Sequence, residues 1–194
     1  MITGRRYQAV TIGCSAGGVH TLEAILGVLP KSFPLPIIVV CHVAAGGNGL
    51  LAELLANKCP LPLKEAEEKE PILAGRVYVA PADYHLLVED NHTFSLSMDP
   101  KVAFSRPSLD VLFESMAEAY GENLIGIVLT GANEDGSHGL KTIREYGGVA
   151  IVQDPRSAYA TIMPQAAIDI AGADFIEPLQ TILSRLISLS EIMQ

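Results

Sequence analysis

The sequence lacks any run of about 18 consecutive apolar residues, the length that a membrane-crossing helix needs, so no membrane insertion is expected. It is short of positive charge. Thirteen Lys and Arg stand against 22 Asp and Glu, a formal net charge of −9, and that balance excludes general binding to nucleic acid, whose phosphates would repel it. The three cysteines, Cys14, Cys41 and Cys59, have no C-x-x-C spacing, which excludes a disulfide framework and reads as reduced thiols. No G-x-x-x-x-G-K-[ST] occurs, which removes a P-loop. Repeats, low-complexity stretches and linkers are also missing. The opening "MITGRRYQAVTIG" reaches a strand-like segment too early for a secretory leader, so a cytoplasmic protein is expected.

What the sequence does have is apolar content. Hydrophobic residues make up 49% of the 194 positions and charged ones 18%, the balance of a folded chain with one well-buried core, read here as one domain over 1–194. Short apolar runs alternate with segments of helical period. "YQAVTIG" and "LPIIVVCHV" are buried strands, "GVHTLEAILGVLP" a helix, and "GNGLLAELLANKC" a second helix with Leu50, Leu51, Leu54 and Leu55 on one face. "LPLKEAEE" is a third short strand candidate. The middle breaks this rhythm: "GRVYVAP", "YHLLVED" and "TFSLSM" are separated by turn residues and predict a local antiparallel hairpin or meander. Alternation resumes with a helix capped by Ser108, then "LIGIVLTG", "GSHGLKTIREYG" and "GVAIVQD". A helix near "MPQAAIDIAG", a strand in "ADFIEP" and a C-terminal helix complete the chain. The pattern predicts an α/β fold, a doubly wound, mainly parallel sheet with helices on both faces and an inserted antiparallel hairpin.

In open parallel sheets, reactive groups gather beyond the C-terminal ends of the strands. Three such loops carry residues of catalytic type. Gly13 to Gly17 reads G-C-S-A-G, satisfying the G-x-S-x-G pattern, in which glycines allow a sharp strand-to-helix turn that exposes Ser15. Alternatively, Ser15 simply caps the helix. A dinucleotide fingerprint fails, because serine replaces its second glycine and strand two ends in Cys41-His42 without an acidic residue. His42 would leave the same sheet edge, and imidazole suits proton transfer from a hydroxyl. His20, His85, His92 and His138 are weaker candidates. Asp135, in "LTGANEDGSHG", can orient an imidazole or cap the helix it precedes. Glu134, Asp83, Asp110 and Asp154 compete with it, and position alone does not separate Asp135 from Asp154. Cys14, Cys41 and His42 lack a fourth ligand at a recognisable spacing, so no metal is expected.

Five blocks in order, "TIGCSAGGVHTLEAIL", "PIIVVCHV", "RVYVAPADYHLLV", "RPSLDVLFESMAEAYGENLIGIVLTGANEDGSHGL" and "GGVAIVQDPRSAYATIMPQAAI", resemble the catalytic domain of the CheB chemotaxis protein-glutamate methylesterases across nearly the whole chain. The resemblance implies a hydrolase that removes methyl groups from glutamate γ-methyl esters on the cytoplasmic helices of chemoreceptors, releasing methanol, with deamidation of glutamine in many members. It implies Ser15 as nucleophile, His42 as general base and Asp135 as the carboxylate that orients it, with no cofactor. Ala16 and Ala132 are implied at the oxyanion side, and Arg106 in "SRPS" as a substrate-positioning residue.

The sequence departs from the family in three places. Ala16 stands where threonine is common, and "ANE" replaces a methionine-glycine block before Asp135, which puts Glu134 beside the triad. The first strand also begins within ten residues, so no receiver domain or phospho-regulation is expected within this chain, and a separate receiver or methyltransferase becomes a candidate partner. The alternative to an esterase is a non-catalytic α/β binding module, which would be expected to have lost at least one of the three polar groups.

Overall fold

The structure, a computed structural model, describes residues 6–43 and 48–191. Seven strands form one sheet in the order β3-β4-β2-β1-β7-β8-β9, and every pairing in it is parallel. They are β1 Ala9–Cys14, β2 Ile37–Cys41, β3 Leu63–Glu65, β4 Val77–Val79, β7 Leu124–Val128, β8 Val149–Gln153 and β9 Phe175–Glu177. The helices are α1 Gly18–Leu26, α2 Asn48–Ala56, α3 Leu109–Tyr120, α4 Ser137–Glu145, α5 Ile162–Ala171 and α6 Leu179–Glu191. β5 His85–Val88 and β6 Phe94–Ser97 make a separate antiparallel pair.

Alternation along the central strands divides the core into two layers. Val10, Ile12 and Cys14 of β1 and Ile37, Val39 and Cys41 of β2 face one side, where they meet Leu22 and Ile25 of α1, Leu55 of α2 and Leu186 of α6. Ile38, Val40, Val128 and Val152 face the other, against Phe113 and Met116 of α3, Ile143 of α4 and Met163 of α5. A strand covered on both faces favours apolar residues throughout, which explains the run "IIVVC" and, with Thr11 as its one polar member, "AVTIGC". The hairpin joins the second layer through Leu86, Val88 and Phe94, and Ser115 Oγ of α3 accepts the Val88 N–H at 3.1 Å.

Two details differ from the sequence reading. "VYV" belongs to the main parallel sheet, between β3 and β2, and only β5 and β6 form the hairpin. All three residues of β4 are buried, and so short a buried strand carries no period to show which sheet it joins. In α2, Leu51 and Leu55 enter the core, but Leu50 is 65% and Leu54 42% exposed. The i,i+4 pairs 50/54 and 51/55 sit about 100° apart around the helix, and only one of them faces the sheet.

The chain leaves β1 for β2 on one side and later fills β7, β8 and β9 on the other. The direction of strand order therefore reverses beside β1, and in such sheets this reversal opens a crevice at the strands' C-terminal ends.

Candidate active site

Ser15 lies at that reversal. Gly17 takes a left-handed φ of 80° and ends the turn into α1, a conformation glycine adopts without penalty. The turn is laced to the loop after β7: Ser15 N–H donates to Thr130 O at 2.9 Å, and Thr130 Oγ1 donates to Ala16 O at 2.8 Å. Gly13 has a similar role. A Cβ there would run into Leu109, so glycine is what allows the start of α3 to approach the end of β1.

His42 follows β2, whose Cys41 is paired with Cys14, and His42 N–H donates to Cys14 O at 3.0 Å. Ser15 and His42 thus leave neighbouring strands side by side. Among the described residues nothing hydrogen-bonds Ser15 Oγ; in ligand-free sites this contact often tightens only with substrate.

His42 Nε2 lies 2.9 Å from Asp135 Oδ2, with the carboxylate off the line of the ring N–H, so the two groups are in close contact without a linear hydrogen bond. Asp135 is fully buried. It does not cap the helix that follows it, whose N-cap is Gly136. It caps α3 instead: Leu109 N–H donates to Oδ2 at 2.8 Å, and Asp110 N–H and Ser108 Oγ–H donate to Oδ1 at 3.1 and 2.7 Å. Ser108 therefore holds the N-cap position but turns its hydroxyl to Asp135 and not to its own helix. Burial alone would push the Asp135 carboxyl up. His42, the two N–H groups and the Ser108 hydroxyl outweigh it and hold the group below the usual carboxylate range.

A second network braces the first. Ser108 N–H donates to Nδ1 of buried His85 at 3.3 Å, and His85 Nε2 meets Pro100 O at 3.1 Å. Asp110 Oδ1 accepts the Gly139 N–H of α4 at 2.7 Å. Burial, with Asp135 nearby, pushes Asp110 up to about 6.

The remaining candidates separate clearly. Asp154 is held by Arg156, 2.6 Å away, so it is engaged elsewhere. Glu134 is exposed and makes no ion pair or hydrogen bond to His42. Asp83 is exposed on the cleft beside His42. His20 and His138 are exposed, and His92 stacks on Tyr120 at 4.4 Å. Arg106 lines the same cleft, of about 210 Å³, but its Nη1 donates to Met98 O at 2.8 Å and Asp99 O at 3.0 Å. The N–H groups of Ala16 and Ala132 donate to no described residue. Cys14 and Cys41 are buried free thiols, and among the described residues no cluster of three His, Cys, Asp or Glu is placed to hold a metal ion.

Asn133 was not singled out from sequence. Its Nδ2 lies 3.4 Å from His42 Nδ1. Nε2 faces a carboxylate and Nδ1 an amide N–H, an arrangement that suits the tautomer with the proton on Nε2 and the lone pair on Nδ1. The one available sequence signal was the departure of "ANE" from the family block.

Residues 10–186 match the family model for CheB methylesterase. The chain belongs to the CheB methylesterase family. Its fold superposes on the crystal structure of the Thermotoga maritima CheB methylesterase catalytic domain with a TM-score of 0.90 at 36% identity, covering 95% of this chain and all of that one. A Leptospira interrogans relative is 48% identical over 95% of this chain and 96% of its own length. A Carboxydothermus hydrogenoformans protein named protein-glutamate methylesterase/protein-glutamine glutaminase 1 is 41% identical over 90% of this chain but only 53% of its own. The chain therefore spans about half of that longer relative and nearly all of the Leptospira one. Among the described residues no helix is long and apolar enough to cross a membrane.

Proposed function

We propose that the chain is a serine esterase that hydrolyses glutamate γ-methyl esters on chemoreceptor-type proteins, with Ser15 as nucleophile, His42 as general base and Asp135 as its orienting carboxylate. The observation that carries this reading is the 2.9 Å contact between His42 Nε2 and buried, ionised Asp135, at the strand ends that also present Ser15.

Because Asp135 takes the Nε2 side, Nδ1 is the basic nitrogen. It removes the Ser15 proton as Oγ attacks the ester carbonyl, while the Asn133 amide gives way to the hydroxyl. Asp135 stabilises the imidazolium, whose proton leaves with methoxide as methanol. Water then hydrolyses the acyl-enzyme by the same route. The N–H groups of Ala16 and Ala132, which donate to no described residue, would receive the oxyanion. A glutamine carboxamide enters the same path and releases ammonia, in keeping with the double name of the Carboxydothermus relative. The chemistry needs no cofactor, and a substrate on cytoplasmic receptor helices places the protein in the cytoplasm. No observation favours the non-catalytic module.

The test is methanol release from a methylated receptor. Ser15→Ala is expected to lower it by roughly 10³-fold or more. Folding stability should move by less than about 0.5 kcal/mol, because among the described residues the hydroxyl has no hydrogen-bond partner to lose. Persisting hydrolysis in the variant would overturn the assignment.

A further inference from the structure

Residues 98–106 form an arm along the cleft whose geometry neither the core nor the triad explains. Val102 and Ser105 exchange backbone hydrogen bonds at 3.2 and 2.8 Å across a two-residue turn. Both central residues, Ala103 at φ 46° and Phe104 at φ 63°, are left-handed. Turns of this kind favour Asn-Gly, and neither alanine nor phenylalanine is at ease there.

The strain holds an aromatic ring in water. Phe104 is 97% exposed, the most exposed large hydrophobic residue described, and it lines the rim of the cleft that contains His42. The arm is braced at both ends, by the Arg106 hydrogen bonds to Met98 O and Asp99 O and by the His85 contact with Pro100 O. A bulky residue in a left-handed conformation persists only where the surroundings over-determine it, and such outliers gather at ligand clamps. A solvent-facing aromatic on a braced turn beside a polar cleft is also the kind of anchor that dominates protein recognition.

We propose that Phe104 is a specificity-determining residue: its ring seats an apolar side chain of the protein substrate next to the esterified glutamate, so that affinity for a protein exceeds affinity for an isolated ester. Arg106 then acts through the arm as a positioning residue. This inference rests on the active-site reading above.

The experiment compares methylated receptor with a small N-acyl glutamate γ-methyl ester. In Phe104→Gly the ring is gone and the turn is eased, so the variant is expected to fold with an unchanged or higher Tm. For the protein substrate KM should rise about tenfold with kcat nearly constant, and the loss in kcat/KM should exceed the loss on the small ester by at least about fivefold. Phe104→Leu, which keeps an apolar side chain, should restore most of the difference. An unchanged KM for the protein, or equal losses on both substrates in a folded variant, overturns the proposal. Ser15→Ala keeps the two readings distinguishable: activity surviving there sinks the active-site assignment, whereas abolished activity there with an unchanged KM in Phe104→Gly removes only the role of Phe104.

Discussion

Asp135 does two jobs with one carboxylate. It lies against His42, which the proposed mechanism has it orient, and it receives the first N–H groups of α3. Replacing it with asparagine puts an amide N–H where backbone N–H groups already point, so stability and activity should fall together. Asp135→Asn is expected to lower the unfolding free energy by about 2–3 kcal/mol, read by urea denaturation, and to cut ester hydrolysis by roughly 10³–10⁴-fold. A variant that kept its stability would show that the cap is dispensable. The place of Ser15 and His42 at one sheet edge was legible in the sequence, because a polar residue directly after a buried strand has few places to go. Asp135 was not separable from Asp154, since both follow strands. What divides them is contact across 25 or more positions: Asp135 meets 108–110, whereas Asp154 meets its own neighbour Arg156. Asn133 stayed hidden for the same reason, because its partner is 91 residues away.

At the scale of elements, the joint between α3 and α4 is the support of the site. Asp110, in the first turn of α3, accepts the Gly139 N–H, and a Cβ at Gly139 would come within 2.5 Å of Phe113 Cβ. Folding raises the Asp110 carboxyl to about 6. Between the ordinary value near 4 and this value, the native state keeps a proton that the unfolded chain has released. Stability therefore falls as pH rises through roughly pH 4–6, by on the order of 3 kcal/mol. Asp135 has the opposite sign, and its contribution is lost only as pH falls below about 4. Asp110→Asn keeps an acceptor for Gly139 and removes the buried charge, so its midpoint in urea should rise at pH 7.5 and lose its slope between pH 4.5 and 6. An unchanged slope would mean that another group titrates there. The helices were readable from their 3.6-residue period, but the parallel place of β4 was not, because strand order is decided by what packs above and below a segment.

At the scale of the whole molecule, the sheet buries both faces and seals two of the three thiols within the layer beneath α1. Cys14 is fully buried and Cys41 nearly so, while Cys59 is partly open. Contact with Cys41 and burial push the Cys14 thiol well up, which makes it inert while the fold is closed. A thiol reagent should therefore label at most one cysteine in the native protein, slowly because burial also raises Cys59, and all three in denaturant. Two or more labelled under native conditions, counted by mass spectrometry, would show that the layer opens readily.

The cap that Asp135 places on α3 also bears on how the protein comes to be active. Its ligands, Ser108, Leu109 and Asp110, precede it by 25 to 27 positions, and His42 precedes it by more than 90. The carboxylate is held beside His42 by groups at the start of α3, which itself packs against the end of β1. On the proposed mechanism, a chain in which α3 has not docked would hold Ser15 beside a His42 that lacks its carboxylate partner. In a refolding experiment, esterase activity is expected to return no earlier than the docking of α3, which protection of the Leu109 and Asp110 N–H groups from exchange would time.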